Sequence, residues 1–292
     1  MTDTVPSTLP YTSARAVPDA AAAATTAART ARAAGAPRRP LTSRGWIALV
    51  GGAILPILIL AAWQGTTALG VFTIAQLPSP TMVWQAGLDL FASGLLGQYA
   101  AISTQRVLIG FAVGAALGIG LGALVGLSRA ADIVFAPTLG AIRAVPSLAW
   151  VPLLILWLKI GEESKLTLIA IGAFFPVYTT VSAALRHVDR QLVEAGRAFG
   201  LRGVRLFAAV QLPAVIPAVV SGLRLALAQA WLFLVAAELI ASSMGLGFLL
   251  IDSQNNGRID RILLAIILLA ILGKLTDAAV GLFERWANRK WA

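Results

Sequence analysis

The sequence has 292 residues, 58% hydrophobic and 12% charged, with no cysteine and one histidine. A soluble domain carries about 25% charged residues, so this chain lacks the polar surface a water-soluble globule needs and the bilayer is its natural solvent. The missing cysteines and the lone His187 exclude a disulfide framework, a thiolate metal site and a multi-histidine metal centre.

Residues 1–44 hold six arginines, an Ala- and Thr-rich stretch at 20–32 and scattered prolines. With few large apolar groups to bury, this segment is expected to be a disordered basic cytoplasmic tail. The first apolar run begins only at Trp46 and no small-residue cleavage site follows it, which argues against a secretory signal. Residues 45–292 are expected to form one transmembrane domain. Its apolar segments fall at about 46–64, 102–127, 134–158, 165–185, 214–240 and 261–283. About 20 residues cross a hydrocarbon core of roughly 30 Å, so each is long enough to span. The fold class is therefore all-α, a polytopic membrane helical bundle of about six transmembrane helices.

The net charge of +10 is read from its distribution. With the tail inside, Arg129, the cluster Arg186, Arg190, Arg197, Arg202 and Arg205, and Arg285, Arg289 and Lys290 all fall on the cytoplasmic side. The segment 64–101 has no Lys or Arg, and the other outer loops hold only Lys159, Lys165, Arg258 and Arg261. This positive-inside asymmetry puts both termini in the cytoplasm and makes a nucleic-acid partner unnecessary. In the outer segment, Leu77-Pro78-Ser79-Pro80 reads as a turn. Thr81–Phe91 reads as a short helix along the outer surface, with Trp84 at the interface.

The second apolar segment carries Gly110, Gly114, Gly118, Gly122 and Gly126, one every fourth residue. Four residues advance a helix by about 400°, so the glycines form a slowly winding smooth stripe. In lipid such a stripe permits close approach of another helix. It describes packing and says nothing of function. No G-x-x-x-x-G-K-[ST], H-E-x-x-H or G-x-S-x-G motif occurs, so no nucleotide, metal or nucleophile site is expected in this chain.

Several ionisable residues fall inside spans: Arg106, Arg143, Arg224, Glu238 and the pair Lys274 and Asp277. Each costs several kcal/mol at the bilayer centre, so each should face the bundle interior, a wet cavity or an interface. Arg224 and Glu238 lie about 21 Å apart along a helix axis and need different partners. Lys274 and Asp277 can pair on one helix face. Arg143 and Arg224 could meet an anionic solute; binding helix ends or carbonyls is the structural alternative.

The cytoplasmic stretch 186–213 is too long and too patterned for a simple turn. Leu192, Val193, Ala195, Ala198 and Phe199 are apolar, with Arg190, Glu194 and Arg197 between them, and Gly200 reads as a helix-ending glycine. Leu201–Leu212 reads as a second helical stretch ending before Pro213. A helix–glycine–helix elbow with an apolar side suits docking by another protein; resting on lipid headgroups is the alternative.

Here a family resemblance is carried by the residues. Glu194-Ala195, then Gly200, then Val210-x-Leu212-Pro213 resembles the EAA loop of ABC importer permeases, which reads E-A-A, a glycine and I-x-L-P. Gly196 stands for the second alanine and Val210 for the isoleucine. Around it, residues 46–286 resemble the branch that handles aliphatic sulfonates, taurine and nitrate. The likeness runs through Arg143-Ala144-Val145-Pro146-Ser147-Leu148-Ala149-Trp150-Val151-Pro152, Gly222-Leu223-Arg224 and Ala236-Ala237-Glu238. The stretch Met244-Gly245-Leu246-Gly247 to Asn256 is most like the aliphatic-sulfonate members.

The resemblance implies the type I, MetI-like permease fold in a bacterial inner membrane. It implies a permease homodimer forming the pathway, a pair of ABC ATPase subunits and an extracytoplasmic solute-binding protein. ATP and Mg would sit on the ATPase, with no cofactor on this chain. Glu194, Ala195, Gly196, Gly200, Leu212 and Pro213 would form the ATPase-coupling loop. By their charge inside the spans, and apart from the resemblance, Arg143, Arg224 and Glu238 are candidate pathway or intramembrane polar residues. Taurine, nitrate or another small solute are alternative cargoes. An ion-gradient-driven secondary transporter is the alternative of a different class; it would need serial ionisable groups at the midplane and leaves the elbow unexplained.

Overall fold

The computed structural model describes residues 41–291. The expected tail therefore lies outside the described residues, except that Leu41–Arg44 already stand in the first helix. The chain divides into two units, Met1–Ile59 and Leu60–Ala292; the packing below is within the second. Among the described residues every regular element is helical. These are α1 (Leu41–Ala68), α2 (Pro80–Ala92), α3 (Leu95–Leu127), α4 (Arg129–Ala144), α5 (Val151–Leu158), α6 (Glu162–Arg186), α7 (Arg190–Ala198), α8 (Gly203–Leu206), α9 (Leu212–Ala241), α10 (Leu246–Asn255) and α11 (Ile259–Trp291).

Four stretches are long and apolar enough to cross a membrane: Leu95–Leu127, Glu162–Arg186, Gly203–Ile240 and Ile259–Trp286. The continuous span expected at 134–158 is not found. Instead α4 and the helical stretch Ser147–Leu158 meet at 88°. Pro146 is the cause, because a proline ring pushes the residue before it out of the helical region. Val145 accordingly adopts φ −70°, ψ 127° and Pro146 φ −54°, ψ 121°, and a 3-10 turn at Ser147–Trp150 restarts the helix. The span expected at 46–64 lies in α1, whose described apolar part is the shorter Ile54–Ala68.

Pro78-Ser79-Pro80 is a helix start. Ser79 caps α2 by accepting from the Met82 amide, and Pro80 occupies the first turn, where a missing N–H costs nothing. The Trp63 indole donates to the Pro78 carbonyl at 3.0 Å. One face of α2 (Val83, Ala86, Leu90) is buried with Leu246, Leu249 and Leu264 in a small core, leaving Trp84 exposed.

The larger core is built on α3, α6 and α9. All five glycines of the stripe face α6. A Cβ at Gly110 would lie 2.6 Å from Ile169 Cγ2, and at Gly118 2.9 Å from the Phe174 carbonyl oxygen. At Gly122 it would meet Val181 Cβ at 2.9 Å, at Gly126 Leu185 Cβ at 2.9 Å, and at Gly114 it would run into the Ala170 carbonyl. Ile169, Ala173, Val177, Val181 and Leu185 recur every fourth residue of α6, and all are buried. The two helices thus mesh parallel along matched rows, in the close approach that small residues allow in lipid.

Candidate functional site

The elbow is built by backbone rules. Asp189 caps α7 by accepting from the Gln191 amide at 2.8 Å. At the other end Gly200 takes φ +81°, its N–H reaches the Arg197 carbonyl at 2.9 Å, and the Leu201 N–H reaches the Gly196 carbonyl at 3.1 Å. That pair of bonds is a Schellman ending, which needs a left-handed residue and so favours glycine. Gly196 is buried, and a Cβ there would lie 2.7 Å from Leu206 Cδ1 and 3.0 Å from Val210 Cγ2. The glycine that replaces the second alanine of the EAA pattern is therefore the seat on which the second arm rests.

That second arm does not end before Pro213, as the sequence reading expects. It runs from α8 through a π turn at Phe207–Gln211 straight into α9. Pro213 falls in the first turn of α9 after the π turn, where its missing N–H is tolerated. Leu212 is exposed and Pro213 half-buried. Glu194 and Ala195 are exposed on α7, and Phe199 and Val204 are 88% and 82% exposed. Arg190, Arg197, Arg202 and Arg205, on the same short stretch of chain, are exposed as well. His187 is exposed too, its Nδ1 2.8 Å from the Ala183 carbonyl at the end of α6.

At the end of the bundle remote from the elbow, Glu238 is fully buried. Its Oε1 meets Arg106 at 2.6 Å, Ser103 Oγ lies 2.9 Å from both carboxylate oxygens, and the Gly247 amide donates to Oε2 at 2.8 Å. Ser103 in turn accepts from the Leu246 amide at 2.8 Å. Arg106 also donates to the Met244 carbonyl at 2.6 Å and grips Glu162 through Nε and NH2 at 2.7 and 2.5 Å. Lys165 completes the cluster at 2.8 Å from Glu162. Gly245 (φ +117°) lies against the Glu238 carboxylate so closely that no Cβ would fit. Two cations and two carboxylates thus fasten α3, α6, α9 and the α9–α10 turn, each charge answered as burial requires.

Arg224 is answered as well. It holds Asp277 bidentately at 2.5 and 2.8 Å and Glu284 at 3.2 Å, tying α9 to α11, while Lys274 stands 3.6 Å from Asp277. Arg224 and Glu238 have separate partners, as their separation along the helix requires. Arg143 differs: it is exposed in the last turn of α4 and pairs with no carboxylate among the described residues.

Residues 114–289 match the family of binding-protein-dependent transport system inner membrane components. The chain belongs to that family. The permease is 40% identical over 84% of its length, and 89% of the relative's, to the aliphatic sulfonates transport permease SsuC of Bacillus subtilis. It is 42% identical over 82% of its length to SsuC of Escherichia coli, covering 91% of that protein. To the taurine transport system permease TauC of Escherichia coli it is 31% identical over 78%, covering 85% of TauC. A structure of the MetNI methionine ABC transporter in inward-facing conformations shares the fold. The match has a TM-score of 0.59 at 21% identity, covering 67% of this permease and 97% of that chain.

Sequence reasoning found Glu238 and Arg106 but not their connection, and it did not single out Ser103, Glu162, Lys165, Gly245 or Gly247 as a site. The signal available was Gly245-Leu246-Gly247 following soon after a buried carboxylate, since glycines allow backbone amides to close on it.

Proposed function

We propose that this permease is the pathway-forming subunit of an ATP-driven importer whose cargo is an aliphatic sulfonate. The observation that carries the reading is the elbow, a rigid, glycine-set corner that presents Phe199 and Val204 to the outside and continues without a break into a membrane span. Large apolar side chains left this exposed on one corner of the chain suit a protein partner. On this reading a pair of ABC ATPase subunits docks there at Glu194, Ala195 and Gly200, with ATP and Mg held by the ATPases and no cofactor on this chain. An extracytoplasmic binding protein delivers the solute to the opposite face of the inner membrane, and both termini of the permease are cytoplasmic.

The transmission path is physical. Gly196 locks α7 onto Leu206 and Val210, so a push on α7 moves the start of α9. A 30-residue helix such as α9 is about 45 Å long, enough to cross the bilayer. Its far end carries Glu238 and thus the clamp on α3 and α6. Movement at the elbow therefore reaches the remote end as a rigid-body displacement, and alternating access follows when two copies move against each other. That α4 buries no side chain in a single chain supports a homodimer, in which a second copy would cover it. The higher identity to the sulfonate permeases than to the taurine permease supports the cargo.

The test uses vesicles containing the permease with its ATPase and binding protein. Alkanesulfonate uptake should require internal ATP and ignore an imposed ion gradient; uptake driven by the gradient alone would refute the importer. A strain lacking the chain should fail on alkanesulfonates as sole sulfur source and grow on sulfate. Normal growth on alkanesulfonates, with no second importer present, would move the cargo elsewhere.

A further inference from the structure

The cations well inside the candidate spans are Arg106, Arg143, Arg224 and Lys274. Three have carboxylate partners: Arg106 with Glu162 and Glu238, and Arg224 and Lys274 with Asp277. Arg143 has none among the described residues. It stands at the break of the bent span, fourteen helical steps and about 21 Å of axial rise from Arg129. The bent α5 lies beyond it, packing Val151 and Leu154 beside Ser164 and Lys165 at the start of α6. Arg143 thus stands at bilayer depth, where an unanswered guanidinium facing lipid is costly and the permitted surroundings are a bundle interior or water.

The single chain provides no interior around it, for α4 buries nothing. One and two turns back on the same face lie Gly140 and Ala136, and a Cβ at Gly140 would meet nothing within 4 Å. Room therefore adjoins the charge. Just past Arg143 the helix breaks at Val145 and Pro146, ending the lane on a cation.

Resting on the importer reading above, we infer that this face of α4 lines the aqueous pathway and that Arg143 is the residue that meets the sulfonate group of the cargo. A sulfonate is a permanent monoanion with three acceptor oxygens in a trigonal array. A guanidinium offers it planar, paired donors and a charge that no pH in the cell removes. Arg224 cannot take this role without giving up Asp277 and Glu284. The two arginines, equivalent in the sequence, thus differ: Arg224 is held by Asp277 and Glu284, and Arg143 by no carboxylate among the described residues.

The chain has no native cysteine, so Gly140→Cys gives a single thiol whose surroundings can be read chemically. The probes are the anionic sulfonatoethyl and the cationic trimethylammonioethyl methanethiosulfonates, applied to membranes holding the assembled importer. Gly140→Cys should react with both. The anionic reagent should be favoured, relative to its reaction with a free thiol, by about tenfold, at the low end of what a fixed charge in a low-dielectric cleft achieves. A short alkanesulfonate delivered by the binding protein should slow the labelling. Adding Arg143→Gln should abolish both the anion preference and the protection. Arg143→Gln alone should cut alkanesulfonate uptake at least tenfold while ATPase attachment persists, and Arg143→Lys should restore part of it.

An unreactive Gly140→Cys would mean the face lies against lipid or protein, and the inference fails. It also fails if Arg143→Gln keeps the anion preference or transports at the wild-type rate, while the importer reading then stands. Anion preference lost with Arg143 but no alkanesulfonate protection or uptake would instead overturn the sulfonate cargo and leave Arg143 as the contact for another anion. Should Arg143→Gln not assemble, cargo protection of Gly140→Cys in the otherwise native chain still decides the matter, because only a pathway-lining face gives it.

Discussion

The α3–α6 seam and the bent α4–α5 segment are both apolar and helical, yet they finish their packing in different places. Along the seam, a glycine on every turn of α3 receives a buried residue of α6, and the charges nearby close on each other. In α4 no side chain is buried, Arg143 has no counter-charge among the described residues, and the helix breaks at Pro146. The first region is complete within one chain. The second leaves a face open, which on the proposed function a second copy covers. Rigid frame and working surface are thus separated in the fold, and substitutions should separate them too.

The largest expected loss comes from opening the frame at its charged end. Glu238→Ala leaves Arg106 with Glu162 as its one carboxylate and strips Ser103 and the Gly247 amide of their acceptor. Removing one partner of a buried ion pair costs about 3–5 kcal/mol. The thermal midpoint of the detergent-solubilised permease should fall steeply, or the protein should fail to accumulate. A comparable drop for Arg143→Ala would erase the contrast between the two regions, because Arg143 would then be part of the frame.

Next in size is Gly114→Ala. The new methyl meets the Ala170 carbonyl and lies 2.9 Å from Ala173 Cβ. Neither is the free end of a flexible side chain, so the helices themselves must part. Overpacking of this kind costs about 1–3 kcal/mol. The same change at Gly140, in open space, should be neutral or slightly stabilising by melting, since alanine is the better helix former.

These cases show what the sequence made legible. The glycine spacing announced a close helix contact but not its partner row, because matching Gly110 to Ile169 and Gly126 to Leu185 is a long-range register with no local signature. The stop of the elbow's first arm at Gly200 was readable to the residue, since a left-handed C-cap glycine is a local signal. The break at Pro146 was missed because hydropathy over 134–158 is continuous, and only backbone geometry distinguishes a bent segment from a straight one. The course of the second arm was missed for a related reason: Pro213 reads as a stop, yet a proline at the first turn after a π turn begins a helix. Glu238 and Arg224 look alike in sequence as lone charges in one span, and only the fold shows that one is fully enclosed and the other half-open against α11.

A smaller effect is expected at Gly200. Its added Cβ would touch nothing within 4 Å, so the cost is conformational and comes from φ +81°. A left-handed residue with a Cβ costs about 1–2 kcal/mol. Gly200→Ala should barely change the melting of the whole permease, because the elbow hangs on the bundle by few contacts. It should loosen the Schellman ending and reduce co-purification with the ATPase, and Gly200→Asp should reduce it further by adding charge to the docking corner. Full attachment and transport by Gly200→Asp would remove the elbow from the coupling surface.

The smallest effect is predicted at Gly196→Ala, which restores the alanine of the EAA pattern. It resembles Gly114→Ala on paper, since both put a methyl within 3 Å of a neighbour. The neighbours differ, however. At Gly196 they are Leu206 Cδ1 and Val210 Cγ2, side-chain methyls on an exposed corner, and not a carbonyl of a packed helix. A leucine tip can rotate away, and alanine in mid-helix gains up to about 1 kcal/mol over glycine. The two terms are opposed and similar, so the melting midpoint and ATPase attachment should stay close to wild type. The same one-carbon change would then cost most in the seam and almost nothing at the corner. A large loss at Gly196 would mean that the corner is as tightly packed as the seam, with Leu206 and Val210 unable to give.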